Sequence, residues 1–364
     1  MYTFGDPSFS LSGLTMNSSE SVIVASYANY NGQKIIVTEL SSGKSIFNYT
    51  QDPEKFEPYK ALDVLVSPNG KYVLYENSNK LKLEMYSVDN KKLIYDLSYY
   101  PLFNGPLVDS VYSVDGSLLA WTDNSYESHD DTHIAETYVM NTVTGKLINT
   151  FKSASFSLRI IGVTSDNKKI ILGRKKVEEG SSFECFDIES GKLLYSIKVG
   201  PTSDAPSAQL INNSLLIESG NYVHGIYDAT TGVKLKEFRP LGASSRLNSD
   251  GSHILSFYGS ELQVREVASG LEKLNIKLTD MLANDRIFDV AMDASHENIF
   301  VLHWMGKKIA LKMIDLKTGL VVKNYNSPCN QFYNRVPIIT RNGKYLAMRS
   351  CEDLSKIQVL RIYR

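Results

Sequence analysis

The chain has 364 residues, of which 43% are hydrophobic and 22% charged, and its formal net charge is -1. This is the composition of a folded chain able to bury one large core or two ordinary ones, which excludes an intrinsically disordered protein. Nothing resembles the basic excess that phosphate-gripping proteins carry, so no nucleic-acid partner is expected.

The chain opens with "MYTF", a short apolar segment with no partner in the repeat that follows. Two phrases then alternate. One is a turn between apolar runs: "MNSSESVIVAS" from Met16, "VSPNGKYVLYE" from Val66, "SVDGSLLAWT" from Ser113 and "TSDNKKIILG" from Thr164. It continues as "INNSLLIES" from Ile211, "LNSDGSHILSF" from Leu247, "DASHENIFVLH" from Asp293 and "TRNGKYLAMRS" from Thr340. The other is a second hairpin turn, as in "TELSSGKSIFNY", "VMNTVTGKLINTF", "FDIESGKLLYSI", "IYDATTGVKLKEF" and "MIDLKTGLVVKNY". Its turn positions are Gly43, Asn90, Gly145, Gly191, Gly232, Gly270 and Gly319. Asn90 reads as the one replacement, since Asn is the next residue after Gly to tolerate a positive φ.

Asn-Gly and Asp-Gly between apolar runs predict hairpins. Each period of roughly 46 residues therefore holds four short strands, a to d, which is the signature of a β-propeller. A β-solenoid or a pair of β-sandwiches would show shorter or less regular repeats. The count favours eight four-stranded antiparallel blades in one all-β domain over 1–364, with seven as the alternative if the weak first unit lies outside. The last repeat supplies only three strands. Residues 1–5 are expected to complete it, closing the ring and hiding two sheet edges.

The "S-x-D/N-G-K" turn between strands a and b, and the "D-x-x-[ST]-G-K" turn between c and d, resemble the WD40-like propeller superfamily in its broad sense, including quinoprotein-like (YVTN-type) propellers. The likeness covers essentially the whole chain. The strict WD40 signatures are absent: no Gly-His pair precedes strand a, and no Trp-Asp ends strand c. The resemblance implies a propeller and includes scaffolds, surface proteins and lactonase-type enzymes, so it leaves the function open.

Three cysteines, Cys185, Cys329 and Cys351, form no disulfide framework and suit a reducing compartment. There is no signal-like leader and no apolar run of about 18 residues, so a cytoplasmic protein without a membrane span is expected. "SSGKS" at Ser41 joins two strands and lacks the upstream Gly of a phosphate loop. No cofactor is expected.

Two groups of residues remain as candidate sites. The stretch "TDNSYESHDDTHIAE", from Thr122, reads as an acidic loop inserted between strands b and c of the third repeat. Its His129, Asp131 and His133 are the candidate ligands for a divalent metal, weighed against a solvated acidic loop. The d–a connections carry Phe56, Tyr59, Tyr99, Tyr100, Phe103, Phe332 and Tyr333 on the same face. Aromatic side chains in loops pack or bind, and they are enriched at protein interfaces. His224, His253, His296 and His303 are scattered among different repeats, with His303 read as a strand residue. The reading preferred is a non-enzymatic scaffold that takes a protein or peptide on the d–a/b–c face. The alternative is an enzyme or small-ligand binder at a channel mouth, metal-assisted and lactonase- or hydrolase-like.

Overall fold

In a computed structural model, the residues described are 2–6, 8, 10–17, 19–29, 32–51, 64–77, 82–97, 110–127, 132–154, 157–176, 180–199, 207–219, 223–240, 244–278, 286–305, 308–326, 338–349 and 356–362. Among them all regular structure is β-strand.

The N-terminal strand is β1 (Tyr2–Gly5). The first sheet follows with β2 (Ser10–Met16), β3 (Val22–Asn29), β4 (Gly32–Glu39) and β5 (Ser45–Gln51). The second holds β6 (Val64–Val66), β7 (Tyr72–Asn77), β8 (Lys82–Ser87) and β9 (Leu93–Asp96). The third holds β10 (Ser110–Tyr112), β11 (Leu118–Glu127), β12 (Thr132–Asn141) and β13 (Leu147–Ala154). The fourth holds β14 (Ser157–Val163), β15 (Lys169–Lys176), β16 (Gly180–Asp187) and β17 (Leu193–Val199).

The fifth sheet is β18 (Ser207–Ile211), β19 (Ser214–Ser219), β20 (Val223–Asp228) and β21 (Lys234–Phe238). The sixth is β22 (Ser244–Leu247), β23 (His253–Tyr258), β24 (Glu261–Glu266) and β25 (Glu272–Lys277). The seventh is β26 (Ile287–Met292), β27 (Asn298–Met305), β28 (Lys308–Asp315) and β29 (Val321–Asn326). The eighth has β30 (Ile338–Ile339), β31 (Tyr345–Arg349) and β32 (Lys356–Arg361), and β1 pairs with β32 as its fourth strand. Strands within a sheet are ordered as in the chain. The fold class is an all-β, eight-bladed β-propeller, with the last blade completed by the N-terminal strand as the repeat arithmetic requires.

Both hairpin phrases have a local physical cause. In each c–d pair of the first seven sheets the register shifts beside the turn, for example at Cys185/Phe186 and Val264/Arg265. A left-handed residue followed by such a bulge joins the strands without splaying them. The acid opening the phrase caps the turn: Asp187 accepts from the Ser190 amide at 2.8 Å and its hydroxyl at 2.6 Å. Asp315 does the same with Thr318. These bonds hold both carboxyl groups below the usual carboxylate range. In the a–b turns the leading Ser or Thr bonds the Asn or Asp two residues on, as Ser67 does with Asn69 and Ser113 with Asp115, each at 2.7 Å.

One turn corrects the sequence reading. In the second sheet the left-handed residue is Lys91 (φ 53°), not Asn90. The turn is displaced by one residue, and a full side chain occupies a position that glycine fills at 70° in Gly191. We expect Lys91→Gly to stabilise the protein by about 1 kcal/mol, less the entropy glycine adds to the unfolded chain. A urea midpoint that does not rise would contradict this.

The chain divides into two compact units, one of Gly5–Pro206 with Thr230–Gly232, the other of Met1–Phe4, Ser207–Ala229 and Val233–Arg364. Each has cores between neighbouring sheets. In the first unit, Val24, Ile35, Val37, Phe47, Val73 and Tyr75 pack between sheets one and two, and Leu74, Met85, Leu119 and Trp121 between sheets two and three. In the second, Leu255, Leu262, Val264, Val290, Met292 and Val301 pack between sheets six and seven. Strand alternation aims these residues inward; β16, for example, alternates half-buried and buried positions through Phe183 and Cys185.

Removing residues 1–5 strips β1 from β32 and leaves the backbone edge of β32 open. The loss is expected to exceed about 2 kcal/mol, since a short ladder contributes about 0.5–1.5 kcal/mol per hydrogen bond. The truncated chain should also self-associate through that edge. An unchanged melting temperature would exclude this role for β1.

Candidate functional site

The face expected to carry function lies at the b–c and d–a ends of the strands. Phe56, Tyr59, Tyr99, Tyr100, Phe103, Phe332 and Tyr333 lie outside the described residues, as do His129 and Asp131 and the cysteines Cys329 and Cys351. His133 falls within β12, opposite Tyr126.

Within the stretch from Thr122 to Glu136, the described residues are strand rather than loop. Residues 123–127 and 132–136 continue the β11–β12 ladder, from the pair Asp123–Glu136 to the pair Glu127–Thr132. These are the longest described strands, at ten residues each. β13 supports the β12 side of this hairpin as far as Ala154, which pairs with Ile134. Glu136 is already engaged, by Lys152 at 2.6 Å and by the Tyr138 hydroxyl. The Lys152 bond, then that of Tyr138, hold its carboxyl below the ordinary value. Among the described residues no three His, Cys, Asp or Glu side chains gather as a metal site. Near the b–c turn of the sixth sheet, Tyr258 is 68% exposed.

The histidines separate in kind. His303 is fully buried in β27, opposite Ala310, as a strand residue. His224 is buried in β20, edge-on to Phe238 at 5.6 Å. His253 and His296 are brought together from neighbouring a–b turns, with ring centroids 4.9 Å apart. His253 Nδ1 lies 2.8 Å from the Ser252 hydroxyl, and His296 Nε2 lies 2.7 Å from Asp250. Burial lowers the His253 pKa, and the neighbouring His296 lowers it further. Ser252 and Asp250 both approach the same nitrogen of His296, so no base is oriented from its far side as nucleophile activation requires. The group brackets two turns. Other a–b turns are bracketed likewise, by Asn17 on the Pro68 carbonyl at 2.9 Å and Asn69 on the Asp115 carbonyl at 3.0 Å.

Glu84, 1% exposed, is the most deeply placed carboxylate among the described residues. The Tyr75 and Tyr86 hydroxyls donate to it, and Tyr49 stands 3.0 Å from Tyr75. Burial raises the pKa of Tyr75 and Tyr86, keeping both as donors. The cluster braces sheets one and two. Arg246 similarly bridges the first strands of sheets six and seven, to Asp289 and, at 3.3 Å, to the Val290 carbonyl.

A second recurring joint lies at the c–d turns. Each turn glycine packs against the residue four places beyond the left-handed position of the preceding sheet. Gly145 meets Tyr95, Gly191 meets Asn149, Gly232 meets Tyr195, Gly270 meets Lys236 and Gly319 meets Leu274. At Gly145, Gly191, Gly232 and Gly319 the glycine is therefore needed twice, for its φ and for the approach of the neighbouring side chain. At the fifth–sixth joint a cleft of about 260 Å3 remains between β21 and the sixth sheet.

No model of a known protein family matches the chain, and no curated protein matches it in sequence. Among solved structures it resembles the computationally designed Ika8 protein, with a TM-score of 0.63 and 13% identity over 98% of both chains. It also resembles the C-terminal WD40 domain of Sif2, with a TM-score of 0.62 and 13% identity over 98% of this chain and 97% of that one. The architecture shared with both is a β-propeller.

Proposed function

We propose that this protein is a non-enzymatic propeller scaffold that binds a protein or peptide through its d–a/b–c face. The observation that carries the reading is the pairing of β11 with β12, whose strands are longer than every other described strand and extend the ladder toward that face. Rigid strands presenting variable connections make a natural recognition platform. Tyr258 adds an exposed aromatic side chain near a b–c turn, and the sequence pattern leads us to propose Tyr99, Tyr100 and Phe103 for the same surface. Ser252 and His253 stand within hydrogen-bond reach, but no hydrogen bond among the described residues orients His253 from its other ring nitrogen, and Glu136 is committed to Lys152.

The test is a crosslinking comparison in the native cell extract. The wild type and a Tyr99→Ala, Tyr100→Ala, Phe103→Ala variant with the same melting temperature are compared by quantitative mass spectrometry. A specific partner should be captured by the wild type and lost from the variant. Equal capture by both would remove this surface from the reading.

A further inference from the structure

The fifth–sixth joint differs from the others in what closes it. Tyr95 lays its ring on Gly145 and donates to the Val143 carbonyl at 2.8 Å. Asn149 bonds the Ile188 carbonyl at 3.0 Å beside Gly191. Tyr195 covers Gly232, and Leu274 with Ile276 covers Gly319. The equivalent residue on β21 is Lys236, whose side-chain methylenes lie 3.6 and 3.9 Å from where a Cβ on Gly270 would sit. Among the residues at these five positions Lys236 alone is charged, and a cleft lies at its joint.

The cleft is lined by Phe238 and Val267 over the buried Ile226 and Ile254, by Lys236, Arg239 and Arg265, and by Glu237 and Glu266. The charges nearby are otherwise spent on one another. Glu237 pairs with Lys234, Glu266 with Lys273 at 3.4 Å, and Arg265 with Glu272 at 2.9 Å. Among the described residues Lys236 and Arg239 have no anionic partner, so the cleft offers uncompensated positive charge beside Phe238 and Val267. Beside it, β21 is the last strand of its sheet, hydrogen-bonded only to β20, and four of its five residues are exposed. Val233, Leu235 and Leu271 add exposed apolar surface at 57%, 50% and 62%.

An open strand edge accepts an extended segment through main-chain bonds, and side-chain pockets supply the specificity. The cleft is smaller than the roughly 300–1,000 Å3 of pockets that enclose a drug-sized ligand, which suits a side chain rather than a cofactor. We propose that the cleft between β21 and the sixth sheet docks an extended acidic segment of a partner protein. A bulky apolar side chain of that segment enters over Phe238 and Ile254. A neighbouring carboxylate meets Lys236 and Arg239. This site uses none of the residues assigned to the loop face.

The test uses fluorescence anisotropy with a labelled eight-residue peptide of alternating leucine and glutamate. Two control peptides carry lysine for glutamate or alanine for leucine. Wild-type protein should bind the first peptide and neither control. Lys236→Glu with Arg239→Glu should weaken binding at least tenfold. Lys236→Tyr installs the residue that closes two of the other joints; it should abolish binding while leaving the melting temperature unchanged or raised. The Tyr99→Ala, Tyr100→Ala, Phe103→Ala variant should bind the peptide as the wild type does, which separates this site from the loop face. The proposal is overturned if wild type fails to bind at 1 mM, an order-of-magnitude ceiling for specific docking. It is equally overturned if Lys236→Tyr binds undiminished, if the lysine or alanine peptide binds as well, or if anionic lipid vesicles are bound in place of the peptide.

Discussion

Gly343→Ala is expected to destabilise the protein by about 3 kcal/mol, among the largest effects of any single added methyl group here. Two costs combine. Gly343 sits at φ 67° in the a–b turn of the eighth sheet, where an alanine costs about 1 kcal/mol. Its added Cβ would also lie 2.1 Å from Cδ2 and 2.2 Å from Cε2 of Phe300. That ring is fully buried and packs with Ala291, Leu302, Leu311 and Leu346, so it cannot swing aside. Overpacking of this kind costs about 1–3 kcal/mol. Gly259→Ala is the control. Gly259 has φ 57° but nothing within 4 Å of its added Cβ, so only the backbone cost of about 1 kcal/mol should appear. Equal losses in urea denaturation of the two variants would show that Phe300 yields, and would refute the packing argument.

Acidification from pH 6.5 to 4 should cost up to about 3 kcal/mol through His224 alone, since each tenfold change in proton affinity is worth about 1.4 kcal/mol. Burial lowers its pKa from 6.5 to about 4, and its Nδ1 has no hydrogen-bond partner. The folded state therefore resists a proton that the unfolded chain accepts. The penalty sets in as pH falls through about 6.5, grows down to about pH 4, and is complete only below that. His253, also lowered chiefly by burial, acts in the same direction. Glu218 and Asp289, raised chiefly by burial, act in the opposite direction over part of this range. Comparison with His224→Leu isolates the one residue. The variant should match or exceed the wild type at pH 7 and hold its urea midpoint far better at pH 4.5. Parallel pH profiles for the two proteins would rule His224 out as the source. Asp6, Asp115 and Asp166, whose pKa values lie below 3.8, lose their contribution only at lower pH.

The strands and turns are legible in the sequence because their causes are local. The acid at Asp187, the serine at Ser190 and the glycine at Gly191 specify one hairpin wherever the phrase recurs. Lys91 is not legible in this way. Its turn is displaced by one residue, and spacing alone does not reveal which residue takes the left-handed angle. The 123–136 stretch departs from expectation for a related reason. Its charges suggest a loop, while the pairing of 123–127 with 132–136, and of 134–136 with β13, carries those residues as a ladder. The aromatic d–a connections can be recognised by composition, but composition assigns no geometry.

The candidate sites that depend on two sheets are not legible in the sequence. His253 and His296 look scattered there, yet neighbouring a–b turns bring their rings within 4.9 Å. Lys236 looks like one more charged strand residue in "VKLKEF". Only its position against Gly270, where other joints hold a tyrosine, asparagine or leucine, turns it into the open wall of a cleft. Strand type, most turn angles and the number of sheets are written in the chain itself, since they follow from alternation and from φ preferences within a few residues. Which joints are sealed, which histidine is buried without a partner and which cations remain unpaired emerge only on folding. Those properties depend on side chains distant in sequence competing for the same space.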